Sequence, residues 1–339
     1  LIIVGSGSGN SIPSYLDDWN IAIVERDVFG GTCLNRGCIP SKMFVYSADV
    51  AVASRNSAKL GIDTQFNGAD WAAIRDRVFG LIDPIASSGR DYRATGTPNV
   101  TLIEGTAAFV DEHILDVEGR RITAPHILLA AGARPVVPPI AGLMETGFHT
   151  SDSIMRLPEL PERLGIIGGG FIAVEMGHVF SGLGTQVTIF NRSNTLLREF
   201  DHDISSTFTE VFGERVELML GHIPTKVERV ADGIKITCAI GETVVDEILV
   251  ATGREPNSDL LDVDERAADD AEPSGEFGET HDRVRRVETG LHQSGDRGDE
   301  RAGPGGEEHV GLSLIHICRC RRHSILVDGV GGGVVGGVG

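Results

Sequence analysis

The sequence is poor in aromatic residues, basic residues and cysteine, and it has no long apolar run. Its 339 residues include 5% aromatics, five cysteines, and 30 Lys and Arg against 49 Asp and Glu, giving a formal net charge of −19. This acidic balance argues against a nucleic-acid partner. No apolar run reaches the roughly 18 residues of a membrane span, so no membrane is expected. So few cysteines do not form the disulfide framework of a secreted protein, and a cytoplasmic location is predicted.

Cys33 and Cys38 lie with four residues between them in the glycine-rich segment GGTCLNRGCIPSK. A structural disulfide, a metal pair and a redox switch are the alternatives. Zinc usually takes four ligands from paired short spacings, and the remaining cysteines supply no second pair with suitable histidines. Gly30, Gly31 and Gly37 allow the backbone to bend so that the two sulfurs can meet. A redox pair is therefore favoured.

The segment after the pair predicts a reactive thiol. Pro40 and Ser41 favour a helix that begins just after Cys38, and a helix N-terminus lowers the pKa of a nearby thiol. Cys238 lies in the alternating run IKITCAI and is interpreted as a half-buried strand residue.

LIIVGSGSGNS predicts a buried strand, a turn with Gly5, Gly7 and Gly9, and then a helix. The buried strand IAIVE follows and ends at Glu25. This order is typical of a dinucleotide site, in which the glycines admit the pyrophosphate and the acid binds ribose hydroxyls. Asn10 departs from the pattern, since it stands where the last glycine is usual.

A second pattern of this kind begins at residue 165. The segment GIIGGGFIAVEMG places Gly168, Gly170 and Ala173 between a strand and a helix, and the strand TQVTIF follows. An NAD site usually has an acid after that strand, whereas this chain has Asn191 and Arg192. Arg192 and Arg198 could hold the 2′-phosphate of NADPH, the alternative being two solvated loop arginines. The absent acid favours NADPH.

Two dinucleotide patterns with a cysteine pair after the first give a resemblance to the pyridine nucleotide-disulfide oxidoreductases, the family of glutathione reductase and lipoamide dehydrogenase. The segments that carry it are GSGSGN, GGTCLNRGCIPSK, ILLAAGARP, GGGFIAVE and ATGREPN, and it covers residues 1 to about 262. Within the family, SGSGNSI, CIPSKMFVYSADVA and WAAIRDRVFGLIDPIASSGRDYR are most similar to the branch that reduces mycothione.

The resemblance implies an α/β fold with two Rossmann-like dinucleotide-binding domains. Residues 1–150 would bind FAD and carry the cysteine pair, and residues 151–262 would form an inserted NADPH-binding domain. The implied FAD residues are Gly5, Gly7, Gly9, Glu25, Gly31, Thr32, Ala107 and Gly132. The implied NADPH residues are Gly168, Gly170, Ala173, Arg192, Arg198 and Gly253.

The resemblance also implies the catalytic roles. Cys38 would be the sulfur next to the flavin, and Cys33 would attack the substrate disulfide. Lys42 matches the lysine near flavin N5, and Glu175 matches its ion-pair partner. The expected function is reduction of mycothione with electrons from NADPH, in a homodimer. The alternatives are a relative acting on glutathione disulfide, mercuric ion or lipoamide, and a catalytically inactive nucleotide-binding fragment.

Two expectations concern the ends of the chain. The sequence opens directly on a strand without a signal peptide, so its natural N-terminus is expected to precede residue 1. Residues 263–339 lack a sustained apolar period, LSLIHICRCRR resembles a translated sequencing-library adapter, and VDGVGGGVVGGVG is of low complexity. A frameshift near residue 263 is predicted, with a disordered aberrant tail in place of the dimerisation domain and its His–Glu acid pair. Cys318 and Cys320 would then have no role, and the chain as written would not reduce mycothione.

Overall fold

The computed structural model describes residues 1–262. The strands are Ile2–Val4 (β1), Ile21–Glu25 (β2), Val100–Glu104 (β3), Ala107–Asp111 (β4), Ile114–Val117 (β5), Arg120–Thr123 (β6), Ile127–Leu129 (β7), Ala133–Pro135 (β8), Arg163–Ile167 (β9), Gln186–Asn191 (β10), Glu217–Leu220 (β11), Lys226–Val230 (β12), Gly233–Cys238 (β13), Gly241–Val245 (β14), Glu247–Val250 (β15) and Arg254–Pro256 (β16). The α-helices are Gly31–Arg36 (α1), Cys38–Asn56 (α2), Trp71–Thr95 (α3), Leu143–Thr146 (α4), Phe171–Leu183 (α5) and His202–Gly213 (α6).

The first parallel sheet has the strand order β3-β2-β1-β7. Ile3 pairs with Ile23 on one side and with Leu128 on the other. Side chains alternate across a strand, so Ile2 and Val4 pack on one face of the sheet while Ile3 packs on the opposite face. Apolar layers on both faces explain why IIV and IAIVE are almost continuously apolar.

The second parallel sheet has the order β11-β10-β9-β15. Its strand β9 pairs with both β10 and β15, and α5 connects β9 to β10. Ile167 and Val250 from this sheet share an apolar core with Ile236 and Cys238 of the antiparallel sheet β12-β13-β14. Cys238 therefore lies on a strand, as predicted, but it is buried at 6% exposure rather than half-buried.

An exposed ion cluster lies on the antiparallel sheet. Lys226 Nζ is 2.6 Å from Glu228 Oε2, and Lys235 Nζ is 2.9 Å from Glu228 Oε1. Hydrogen bonds from Lys226 and then from Lys235 lower the pKa of the Glu228 carboxyl from 4.5 to about 2. The carboxylate is thus held ionised by its two lysines.

An aromatic cluster lies where α2, α3 and α5 meet. Phe44 stacks on Trp71 with ring centroids 5.0 Å apart, and Trp71 lies 5.3 Å from Phe180. Trp71 Nε1 donates to Leu157 O at 2.8 Å, which ties α3 to the segment before β9. This apolar cluster thus holds α2 and α5 together, because Phe44 of α2 and Phe180 of α5 both contact Trp71.

The α/β architecture with parallel sheets agrees with the fold class expected from the sequence. The helix expected directly after Gly9 is wrong, because residues 5–20 contain only the short 3-10 turns Ser8–Asn10 and Ser14–Leu16. Pro13 has no N–H to donate and its ring obstructs the preceding turn, so an α-helix cannot continue through this connection. Both sheets lie in one compact unit, and the division at residue 150 stays a prediction.

Candidate functional site

The first glycine turn is built against the loop that follows β7. Gly5 has φ +105°, and a Cβ there would lie 2.2 Å from the carbonyl oxygen of Ala130. A Cβ on Gly9 would lie 2.6 Å from the Ile3 side chain. Only glycine therefore fits at these two positions. Gly132 follows Ala130 by two residues in the same loop and has φ +71°.

Glu25 joins this turn to the end of β2. Its Oε2 accepts from Ser6 N at 2.8 Å and from Ser6 Oγ at 2.6 Å, and its Oε1 accepts from Asp27 N at 2.9 Å. Ser6 Oγ in turn accepts from Gly30 N at 2.9 Å. The carboxylate, the first glycine turn and the turn before the cysteines are thus held together through one buried hydroxyl.

The first glycine turn and the turn before the cysteines touch through their backbones. Gly31 has φ +68°, and a Cβ there would lie 2.6 Å from the Cα of Gly7. Helix α1 begins at Gly31, with Thr32 exposed in its first turn. Backbone N–H groups of a turn and of a helix start suit an anionic ligand such as a pyrophosphate. Ala107 lies on β4 in the apolar core on one face of the first sheet and is 4% exposed.

The two cysteines lie on consecutive helices. Cys33 is exposed on α1, and Cys38 is half-buried as the first residue of α2. Gly37 joins the helices, and a Cβ there would lie 2.7 Å from the carbonyl oxygen of Thr32. The helix starts at Cys38 itself, slightly earlier than expected, and Pro40 occupies its first turn, where no N–H is needed. Cys38 thus lies at the helix N-terminus, the position from which the sequence predicts a reactive thiol.

One turn beyond Cys38, α2 makes an ion pair with α5. Lys42 Nζ lies 2.5 Å from Glu175 Oε1. The Glu175 side chain is 3% exposed and that of Lys42 is 27% exposed, so the carboxylate is the buried partner. The structure thus brings these two residues together across 133 positions of sequence.

An ionic contact fixes the far end of α1. Arg36 pairs with Asp27 and, at 3.8 Å, with Asp152 in the segment before β9. Burial acts to raise the pKa of Asp27, but the hydrogen bonds from the Val28 backbone and Arg36 outweigh it, so the pKa is lowered. The helix that carries Cys33 is therefore anchored at both ends.

The backbone also requires glycine in the second dinucleotide pattern, at Gly168. Gly168 has φ +128°, and a Cβ there would lie 2.2 Å from the carbonyl oxygen of Ala251. Helix α5 starts directly after Gly170, and Ala173 is fully buried in its first turn. Gly253 follows Ala251 by two residues and has φ +140°. The helix start after Gly170 suits a phosphate group.

The loop after β10 carries the two arginines. Asn191 is buried, and its Nδ2 donates to Ser193 O at 3.2 Å and to Thr195 O at 2.9 Å. Leu197 N donates to Gly169 O at 2.8 Å, which ties the loop to the glycine turn. Arg192 and Arg198 are both exposed in this loop. Asn191 thus holds the loop through two hydrogen bonds, and it occupies the position where an NAD site usually has its acid.

Sequence reasoning missed Ser6 and Asn35. Asn35 is 4% exposed and its Nδ2 donates to Phe29 O at 2.9 Å and to Gly31 O at 3.0 Å, while its Oδ1 has no hydrogen-bond partner among residues 1–262. A buried acceptor of this kind suits a ligand or water that donates a hydrogen bond. An asparagine inside a short helix was the available signal for Asn35, since this residue disfavours helix interiors.

The described part of the chain has neither a metal-ligand cluster of three or more His, Cys, Asp or Glu nor a helix of the length and apolarity needed to cross a membrane. The predicted frameshift, the tail 263–339, Cys318 and Cys320 lie outside the described residues.

Comparisons with known proteins agree on one family. Residues 1–286 match the family described as "Pyridine nucleotide-disulphide oxidoreductase", which is further than residue 262, where the resemblance was expected to end. The chain is 42% identical over 280 residues to mycothione reductase of Mycobacterium tuberculosis, covering 79% of this chain and 60% of the relative. It is 35% identical over 272 residues to mercuric reductase of Staphylococcus aureus, covering 78% and 50%.

Two further matches are to other disulfide reductases. Glutathione reductase of a Nostoc species is 33% identical over 277 residues, covering 79% of this chain and 59% of that relative. The solved structure of an HOCl-induced flavoprotein disulfide reductase from Escherichia coli superposes with a TM-score of 0.70 at 26% identity, covering 87% of this chain and 72% of that one. The chain thus spans 50–60% of the length of these curated relatives.

Proposed function

The chain belongs to the pyridine nucleotide-disulphide oxidoreductase family, and on that premise we propose that it is the nucleotide-binding and cysteine-bearing part of an NADPH-dependent disulfide reductase that contains FAD. The observation that carries the proposal is the arrangement on α2, where Cys38 begins the helix and Lys42, one turn on, pairs with Glu175 of α5 at 2.5 Å. One helix therefore joins the cysteine pair to the second sheet.

The first site has the features that FAD requires. The touching turns of Gly7 and Gly31 admit a pyrophosphate where any side chain would fill the space. Glu25 keeps acceptor capacity for ribose hydroxyls, and the buried Asn35 Oδ1 can accept from a hydroxyl donor. We infer that these residues, with Gly5, Gly9, Thr32, Ala107 and Gly132, hold FAD.

The second site is proposed to hold NADPH. The turn at Gly168 and Gly170 and the start of α5 would take its pyrophosphate. Ala173 and Gly253 would border the same site. Arg192 and Arg198, in the loop braced by Asn191, would bind the 2′-phosphate through charge-assisted hydrogen bonds.

When bound, FAD would pass the two electrons of a hydride from NADPH to the Cys33–Cys38 disulfide. The chain's own residues then carry the sulfur chemistry. The exposed Cys33 thiolate attacks the substrate disulfide, forming a mixed disulfide and releasing one thiol. The Cys38 thiolate attacks Cys33 and releases the second thiol as the pair closes again. Two protons complete the two product thiols.

Mycothione is the proposed substrate, because the relative with that name in Mycobacterium tuberculosis is 42% identical, against 35% and 33% for the mercuric and glutathione reductases above. The full reductase is proposed to act as a homodimer in the cytoplasm. Rates with mycothione, glutathione disulfide and lipoamide, measured on a protein of the relatives' full length, would distinguish these substrates.

The electron path can be tested on the 339-residue chain itself. The oxidised protein is loaded with FAD, given one equivalent of NADPH, alkylated, and analysed by peptide mass spectrometry. We expect Cys33 and Cys38 to become alkylated together, with a slower response to NADH and none without FAD. Cys33→Ser is the matched control, since it leaves a single thiol that cannot form the pair. Failure to bind FAD would instead favour a nucleotide-binding fragment without redox activity.

A further inference from the structure

We propose that Asp49, His178 and Arg215 form a bridge that positions Glu175 for its ion pair with Lys42. The bridge lies in the contact between α2 and α5, outside the cysteine pair and the glycine turns. It deepens the proposed function, because it sets the position of the lysine assigned to the flavin.

His178 is buried, with 3% of its surface exposed, and both of its ring nitrogens have partners. Nε2 lies 2.8 Å from Asp49 Oδ1 on α2, and Nδ1 lies 3.1 Å from Arg215 Nη1 in the turn between α6 and β11. An arginine side chain only donates hydrogen bonds, so Nδ1 must be the acceptor. Nε2 therefore carries the proton and donates it to Asp49, which makes His178 the neutral tautomer.

The Asp49 carboxylate and the Arg215 guanidinium each match one ring nitrogen of this tautomer. Protonation of Nδ1 would place an N–H against the Arg215 guanidinium. Arg55 adds a second positive charge nearby, where its Nη1 donates to Gly182 O at 2.6 Å. Burial lowers the pKa of Arg215, and the Arg55 charge lowers it further while that of Asp49 raises it. His178 thus joins a carboxylate to an arginine without adding a charge.

The spacing links this bridge to the ion pair. Asp49 follows Lys42 by seven residues, or about two helical turns, and His178 follows Glu175 by three, so both pairs lie on the facing sides of α2 and α5. Further along, a Cβ on Gly182 would lie 2.9 Å from the Cβ of Ala48, so the helices are in close contact there. Rotation of α5 is restrained by the bridge, and rotation would withdraw Glu175 from Lys42.

The test measures the reactivity of Lys42 rather than catalysis. The 339-residue chain is treated with an acetylating reagent, and the rate at Lys42 is followed by peptide mass spectrometry. Glu175→Gln removes the carboxylate partner of the Lys42 side chain and should raise this rate about three- to tenfold, the size expected for the loss of one charge-assisted hydrogen bond. His178→Leu should produce most of that rise, and the double variant should react no faster than Glu175→Gln alone.

Two comparisons separate positioning from a general loss of stability. His178→Gln keeps an N–H for Asp49 and should stay within about twofold of the parent rate. Ser205→Ala removes another buried hydrogen bond, from Ser205 Oγ to Leu197 O at 2.9 Å, and should leave the Lys42 rate unchanged. Asp49→Ala removes the bridge from its more exposed side and provides a second variant should His178→Leu fail to fold.

An unchanged Lys42 rate in a folded His178→Leu or Asp49→Ala protein would overturn the proposal, as would equal acceleration by Ser205→Ala. A Lys42 rate in the double variant that equals the product of the two single effects would show that His178 and Glu175 act independently, and it would also overturn the proposal. Saturating FAD should protect Lys42 in the parent chain. A lack of protection would count against the proposed flavin site, whereas the variants without FAD test the bridge by itself.

Discussion

Replacing Ser6 by alanine should destabilise the first parallel sheet far more than the loss of one oxygen atom suggests. Ser6 is 0% exposed, and its hydroxyl donates to the Glu25 carboxylate at 2.6 Å and accepts from Gly30 N at 2.9 Å. A hydrogen bond to a charged group contributes about 1.5–3 kcal/mol, and a neutral one contributes about 0.5–1.5 kcal/mol. The free energy of unfolding should therefore fall by about 2–4 kcal/mol.

Ser8→Ala is the matched control, because it removes the same atom from an exposed position in the same turn. A surface substitution of this kind changes stability by less than about 0.5 kcal/mol. Urea unfolding can be followed by tryptophan fluorescence, since Trp19 lies against His126 beside this sheet with ring centroids 5.5 Å apart.

With a urea m-value of about 2–3 kcal/mol/M, the unfolding midpoint of Ser6→Ala should fall by roughly 1 M. FAD affinity should fall with it, because the hydroxyl joins the two glycine turns proposed to hold the cofactor. Coinciding midpoints for Ser6→Ala and Ser8→Ala would refute the reasoning, since the buried hydroxyl would then contribute no more than an exposed one.

Three further outcomes are expected. In the FAD-loaded protein, Cys33→Ser should keep a long-wavelength thiolate–flavin absorbance on reduction and Cys38→Ser should lose it; spectra with the opposite behaviour would reverse the assigned roles. Removing Arg192 and Arg198 together should weaken NADPH binding at least tenfold in a titration, since charge-assisted contacts contribute about 1.5–3 kcal/mol each, and should change NADH binding little. Equal losses of affinity for the two coenzymes would exclude recognition of the 2′-phosphate by these arginines. The lowered pKa of Glu228 adds stability that is present above pH 4.5 and is lost as the pH falls towards about 2. Glu228→Gln should therefore weaken the dependence of the urea midpoint on pH across that window. An equally steep dependence in the variant would contradict this.

The sequence by itself determined the features that depend on local backbone sterics. Gly5 and Gly168 have positive φ angles and leave no space for a Cβ, so a glycine pattern after an apolar strand predicts each turn. The α/β fold with parallel sheets follows from near-continuous apolar strands that alternate with helical segments. The pattern failed between Gly9 and β2, where Pro13 prevents the helix that usually follows such a turn.

Contacts between distant segments were decided only by the tertiary structure. Family resemblance suggested that Lys42 and Glu175 pair, but the packing of α2 on α5 is what brings their charged atoms within 2.5 Å. Neither the Ser6 hydroxyl between Glu25 and Gly30 nor the His178 ring between Asp49 and Arg215 has a signal in the chain. A hydrogen bond needs its two atoms within about 3 Å at a suitable angle, and residues so far apart in sequence reach that geometry only when the sheets and helices that carry them have packed.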